Sequence, residues 1–374
     1  MDQTSSTLQP VHTARDRREF VRIARNIYPP DLPWVQPLDA LVLGHLDQQR
    51  NPFYRDGLGC AFLANRKGRT VGRILAQVWR RHHRLHAERV GYFGLFECPN
   101  DLEVAGALLG AAAEFARQQR CEVLRGPFNM TAAQEMGVMI DGFSEIPATD
   151  MVYTPPWYPS LLERAGLRPC FRMQTWRNGD LSQLDPDALA GNRASHLKAF
   201  GIQVRPFDVR RRAADLEHVR ELINAAFLGN WAFVPITREE WEFQMNPLIP
   251  ILDLSLILFA ETQGVPVGVT FAAPDFNQVL CRMAGKLFHP AVVSLFRRPS
   301  IGSAVIILYA VRKQFHGMGV SRLLNAELVR ALRRRGYRSL AITWIGEENS
   351  ASRAQAEALQ MRRAHDLAMY EQKL

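Results

Sequence analysis

Twice along this chain the apolar positions change period in the same order. Residues 61–72 and 257–268 each read as an apolar strand, a short turn at Gly68 or Gly264, and a second strand opening on Val71-Gly72 or Val267-Gly268. That is the pattern of an antiparallel hairpin. The pairs Ala64/Ala260, Gly68/Gly264, Val71/Val267 and Gly72/Gly268 all lie 196 positions apart. The flanking periodicities repeat as well. Ahead of the first hairpin come a strand around residues 8–13 and a helical period over 17–28; ahead of the second come 202–207 and 215–227. Behind the first follow strand 90–96, helix 102–120 and strand 122–126. Behind the second follow strand 304–311, helix 320–335 and strand 339–345. Each half therefore reads β-α-β-β-β-α-β, an α/β (α+β) plan of two mixed sheets with helices on both faces. The polar, aperiodic stretch 178–198 reads as a linker, which divides the chain into residues 1–185 and 186–374.

Between strand and helix in the second half sits Gln314-Phe315-His316-Gly317-Met318-Gly319. The helix behind it places Val320, Leu324, Leu328, Ala331 and Leu332 on one face, as an amphipathic helix requires. Its first-turn amides have no intrahelical acceptor and carry the positive end of the helix dipole. Gly317 and Gly319 let a bulky anion approach that backbone closely, so a diphosphate is held without lysine or metal. The spacing Gln/Arg-x-x-Gly-x-Gly/Ala resembles the acyl-CoA pyrophosphate loop of the GNAT acyltransferases. The element order of both halves is the GNAT order too, so the resemblance covers nearly the whole chain as a tandem pair. It implies acyl-CoA as co-substrate, bound by Val311, Gln314, Phe315, His316, Gly317, Met318, Gly319, Val320 and Asn349, with no metal.

The two halves differ where the cofactor belongs. In place of the glycine turn, the first has Glu97-Cys98-Pro99-Asn100-Asp101-Leu102. Proline donates no amide and two carboxylates repel a diphosphate. The N-terminal copy therefore reads as degenerate and the C-terminal copy as functional.

Composition narrows the partners. A formal charge of +9 favours anionic ones: phosphorylated cofactors, acidic lipid headgroups or nucleic acid. No nucleic-acid-binding motif is present, and arginine pairs and triplets at 210–212, 297–298, 333–335 and 362–363 are dispersed, which reads as solvated surface. The five cysteines show no C-x-x-C spacing, as expected of a reduced compartment without structural zinc. Residues 1–7 are polar and no apolar run is long enough to cross a bilayer, so a cytoplasmic location is expected, with peripheral contact at an anionic membrane through residues 248–259. His82, His83 and His86 lie among arginines that disfavour a cation, and read as a solvated hairpin loop.

Acyl transfer from a thioester to an amine needs alignment, a proton acceptor for the amine, and stabilisation of an oxyanion. GNAT-like folds place the thioester where two central strands splay apart, here beside residues 307–311 and 343–345. Glu347, just past the second of these strands, is the expected base, acting through water; the competing reading is an acidic loop with Asn349 as helix N-cap. Tyr309 is the expected donor to the leaving thiolate, or else a core tyrosine. The family's tyrosine on the last helix is missing from residues 351–363, with Tyr370 lying later.

Two segments, 125–158 and 273–290, are rich in aromatics, Met, Pro and Gly with single polar groups between, which suits an elongated apolar cavity. Together with the box 344–349 they resemble a bacterial ceramide synthase-like subgroup. The resemblance implies an amine acceptor of the sphingoid type, with Asp275, Asn277 and Trp344 at the acceptor site. The alternatives are an acetyltransferase for a small polar amine or antibiotic, and a non-catalytic acyl-CoA or lipid-binding protein.

Overall fold

A computed structural model describes residues 6–131, 135–296 and 301–374. The arginine pair at 297–298 and the first five residues lie outside them. Among the described residues thirteen strands form one sheet: β1 (Thr7–Pro10), β2 (Gly57–Arg66), β3 (Arg69–Trp79), β4 (Val90–Glu97), β5 (Val123–Gly126), β6 (Val138–Asp141), β7 (Arg168–Asn178), β8 (Ile202–Pro206), β9 (Ile257–Thr262), β10 (Val265–Pro274), β11 (Ser303–Val311), β12 (Ser339–Gly346) and β13 (Arg362–Lys373). Their spatial order is β1-β2-β3-β4-β5-β13-β7-β12-β11-β10-β9-β8, with β6 paired to β13. The repeated hairpins are β2–β3 and β9–β10, turning at Gly68 and Gly264, both at positive φ. In each half a parallel pair, β4–β5 or β11–β12, is bridged by a helix, Leu102–Gln118 or Val320–Arg334. Both helices are buried on one side because their apolar residues recur at helical spacing.

The middle of the sheet is where the halves trade strands. β7, which ends the first half, pairs with β12 of the second. β13, which ends the chain, pairs with β5 of the first half, and β7 and β13 run antiparallel to each other. Each half thus closes the other's sheet. This corrects the helical reading of residues 351–363: the helix Ser350–Ala358 stops, Gln360 turns at φ +50°, and the chain enters β13. Tyr370 lies on that strand, buried beside Glu163.

Three other expectations are corrected. Residues 248–259 are not a membrane-facing surface, because Ile249, Leu252, Leu256 and Phe259 are core. The histidines sit on a short helix, Arg80–His86, not in a solvated loop: His82 is buried against the Tyr92 hydroxyl, 2.9 Å away, and His83 and His86 each bond a backbone carbonyl. Burial holds the His82 imidazole down to about 3, so it is neutral. Several dispersed arginines are structural: Arg333 donates to the carbonyls of Leu181 and Ser182, and Arg335 pairs with the buried Asp253 at 2.9 Å.

Candidate functional site

β11 and β12 pair only from Ser303–Ile306 to Ser339–Ile342. Beyond that point they diverge, held at the crotch by the Thr343 hydroxyl, which donates to the Ile307 carbonyl at 3.1 Å. The β10–β11 ladder slips at the same place, so Ile307 is an extra residue on β11. A bulge at a strand divergence re-aims the backbone that follows it. Ile307, Leu308 and Tyr309 on one side, and Thr343, Trp344 and Ile345 on the other, line the resulting cleft.

At the far end of β11 a single 3₁₀ turn, Lys313–Phe315, leads into Gly317 (φ +75°) and Gly319 (φ +101°). Gly319 is the N-cap of helix Val320–Arg334, and no side chain caps it. A Cβ at Gly317 would meet nothing within 4 Å, so the turn is open. Phe315 and Met318 pack against the core and set the angle of this turn, while Gln314 is exposed. His316 is exposed but folded back, its Nε2 2.9 Å from the carbonyl of Val311.

The corresponding place in the first half is filled. The Asp101 carboxylate accepts from the amides of Glu103 and Val104, at 3.0 and 3.2 Å, so the helix N-terminus there already holds its anion. Past the β4–β5 pairing, Phe128 donates its amide to the Phe93 carbonyl (2.7 Å) and Asn129 Oδ1 accepts from the Leu95 amide (2.8 Å). Gln77 ties this plug down through the Phe128 carbonyl at 2.5 Å. Gly94 shows how tightly it fits: a Cβ there would lie 2.4 Å from the Phe128 oxygen. The loss of glycines, expected from the sequence, is thus accompanied by closure of the strand cleft.

The open cleft leads into a cavity of about 1000 Å³ between the two halves. Its apolar walls include Trp34, stacked on Tyr28 at 4.1 Å, and Trp231, stacked on Phe171 at 4.3 Å. Trp344 meets Phe171 edge-on at 6.4 Å. Phe227, Phe271 and Trp241 extend the same lining.

Its charged wall comes from the first half and includes Glu97, Glu135, Asp150 and Arg73. Glu97, at the end of apolar β4, accepts from the Tyr158 hydroxyl at 2.8 Å and faces Arg73 at 3.4 Å. Burial raises its carboxyl above the usual range, against the opposing pull of Arg73. Glu135 and Asp150 expose their surface to the cavity, where loss of solvation pushes each up to about 7. Glu97 adds to the shift of Glu135, and Glu135 to that of Asp150. Carboxyls tuned to neutrality inside a cleft are the usual mark of proton-transfer chemistry.

The residues named from sequence separate into two groups. Trp344, Tyr309 and Asn349 line the cavity. The Tyr309 hydroxyl is buried and has no hydrogen-bond partner at ordinary distance, and burial raises its pKa, so it stays protonated. Asn349 caps helix Ser350–Ala358 by accepting from the Ser352 amide. Glu347 is exposed and is not part of the cavity wall. Asp275 and Asn277 bind the first half: Asp275 Oδ1 accepts from the amide and hydroxyl of Thr149, at 2.9 and 3.2 Å, and Asn277, which also lines the cavity, donates from Nδ2 to the Pro147 carbonyl at 2.9 Å. They staple the second half to the first. Asp275→Ala leaves the Thr149 amide and hydroxyl without an acceptor and is expected to cost about 1–3 kcal/mol, readable as a lower Tm in a thermal melt.

Glu135 and Asp150 were not singled out in the sequence, and Glu97 was read only as a repelling charge. One signal was available: each is a lone acid in an apolar stretch, as in Val90–Glu97 or Met130–Met136. Among the described residues no three His, Cys, Asp or Glu side chains converge on a metal site.

No protein-family model matches the chain. Among curated proteins it is 28% identical over 363 residues to the bacterial ceramide synthase of Caulobacter vibrioides, covering 94% of this chain and 93% of that protein. It is 27% identical over 344 residues to protein YghO of Escherichia coli, covering 90% and 87%. Among solved structures it superposes on a tandem GNAT protein from the clavulanic acid biosynthesis pathway with a TM-score of 0.57 at 14% identity, over 99% of this chain and 98% of the other. The fold is therefore that of the tandem GNAT proteins, with the strand cleft of the N-terminal copy closed.

Proposed function

We propose that this tandem GNAT-fold chain is an acyl-CoA-dependent N-acyltransferase whose acceptor is the primary amine of a long-chain lipid, as the name of its Caulobacter relative suggests. The observation that carries the reading is the continuity of one cavity from the open strand cleft to the carboxylates of the other half. At about 1000 Å³ it stands at the top of the range of about 300–1,000 Å³ typical of small-ligand sites. An acetyl group and a small polar amine leave such a space largely unfilled, and its walls are mainly aromatic and aliphatic.

In this reading the diphosphate of acyl-CoA lies on the amides behind Gly319, and the thioester lies in the cleft between Tyr309 and Thr343. The acceptor enters as an ammonium, drawn to Glu97, Glu135 and Asp150. Glu135 or Asp150 removes a proton to give the neutral amine. The nitrogen attacks the thioester carbonyl, the C–N bond forms and the C–S bond breaks. The nitrogen's second proton passes to the carboxylate side, and the departing thiolate takes the Tyr309 hydroxyl proton, which solvent restores as the carboxyls release theirs. The products are an amide and CoA thiol. Glu135 and Asp150 take the base role because they line the cavity and Glu347 does not.

The direct test is thiol release from a long-chain acyl-CoA across a panel of amines. Sphinganine is expected to support turnover, while aminoglycosides and simple polyamines do not. Turnover with the polar amines alone would replace the lipid acceptor, and CoA binding without thiol release on any acceptor would remove the enzymatic reading.

A further inference from the structure

The segment that follows β10 rims the cavity and then leaves it. Phe276, Asn277 and Leu280 line the interior, and Met283 is fully buried. The chain then crosses to the first half, where the Gly285 carbonyl accepts the amide of Asp39 at 2.9 Å. Directly beyond this crossing the side chains turn outward. Leu287 is 45% exposed, Phe288 98% and Val293 49%. Across the crossing lies Leu41, which both lines the cavity and is 45% exposed, so this edge is a mouth.

A phenylalanine with almost no protein contact is costly in water and contributes nothing to the fold. It is also not held in place by chance. The His289 ring accepts from the Ala291 amide at 3.1 Å, starting a 3₁₀ turn, Pro290–Val292, that packs back on the core through Ala291 and Val292. The turn is anchored while its tip is bare.

The segment's own charge is one-signed, and the Asp39 carboxylate beside Gly285 is neutralised by Arg25 at 2.7 Å. From Phe276 to Phe296 there is no aspartate or glutamate, and Arg282 and Lys286 are both exposed. We infer that Leu287, Phe288 and Val293, flanked by Arg282 and Lys286, form a docking surface for an anionic lipid bilayer, which sets the cavity mouth against the membrane. Apolar side chains at a tip with basic residues beside them match the interface between acyl chains and anionic headgroups. A second copy of this chain is a poorer occupant, since a twofold contact would bring Lys286 and Arg282 against their own equivalents. The inference deepens the lipid-acceptor reading, because a lipid would pass from bilayer to cavity without crossing water, but the binding it predicts does not depend on turnover.

Co-sedimentation with vesicles tests it. The protein is expected to pellet with phosphatidylglycerol–phosphatidylcholine vesicles, less with phosphatidylcholine alone, and less at high salt. The variant Leu287→Asp/Phe288→Asp is expected to lose at least about tenfold in partitioning while binding CoA as the parent does, which shows that it is folded. Absence of vesicle binding by the parent, or equal binding by the variant, overturns the inference. So does a concentration-dependent dimer that the same variant abolishes, in which case the patch is a self-association face. Vesicle binding without thiol release on any amine would leave this surface standing and remove the enzymatic reading alone.

Discussion

Glu135→Gln is expected to lower kcat/KM for acyl transfer by about 10²–10⁴-fold, the usual contribution of a positioned general base. The pH profile separates this from a packing defect. A carboxyl accepts a proton only when ionised, and Glu135 and Asp150 are each held up to about 7, so the parent's rate should climb with pH through about 7 and then level. In the variant Asp150 loses the neighbouring charge that helps to raise it. Its limb should therefore move to lower pH even as the rate falls. Two carboxyls so close titrate as a pair, so the limb belongs to both. A residue that only supported the fold would lower the rate without moving the limb.

The same substitution should change stability in the opposite direction. A carboxyl whose folded pKa is raised binds its proton more tightly when folded than when unfolded. It therefore favours the fold fully below its unfolded value, and that advantage is lost as pH rises through about 7. Glu135→Gln removes the penalty, so its Tm should exceed the parent's at pH 8 and approach it near pH 4. Equal Tm differences at both pH values would show that Glu135 is not held above its ordinary range.

What the sequence made legible was local. The hairpins at Gly68 and Gly264, the bridging helices and the glycine turn each announce themselves within a dozen residues, because backbone chemistry and side-chain period act at short range. Strands β7 and β13 did not. Each is flanked on both sides by strands far away in the chain, and Arg362–Lys373 mixes charge and apolar residues without a clean alternation. Only the exchange between halves gives it two neighbours to pair with.

The site divides along the same line. On the proposed reading its cofactor side is one turn and one strand end, so Gly317 and Gly319 could be named from spacing and Tyr309 from its place on the strand before them. The acceptor side of that reading is assembled from Glu97, Glu135 and Asp150, distant in the chain and brought to one cavity only by the fold. Asp275 and Asn277 were assigned to the acceptor because their segment has the composition of a cavity wall. Asp275 instead helps to tie the two halves together through Thr149, whereas Asn277 lines the cavity and also bonds Pro147. Thr149 directly precedes Asp150 in the chain, so the staple also fixes the loop that carries one of the two cavity carboxyls.

The second large effect is expected at the glycine turn. In Gly319→Ala/Gly317→Ala the lost feature is conformational, since nothing crowds the space beside Gly317. Both positions have positive φ, and forcing a side chain there costs about 1–2 kcal/mol each. The chain can escape that strain by rotating the turn, which swings the amides behind Gly319 away from the diphosphate. CoA affinity measured by calorimetry should then fall about tenfold or more, since each 1.4 kcal/mol is a factor of ten. A donor that lacks the diphosphate separates this from general damage. S-acyl pantetheine has only the thioester arm, so the parent should use it poorly and the variant just as well as the parent. If the variant loses the truncated donor in proportion, the turn supports the cleft and not the phosphate. If it keeps full affinity for CoA, the diphosphate is held somewhere other than this helix N-terminus, and the donor's path to Tyr309 must be drawn from another entrance.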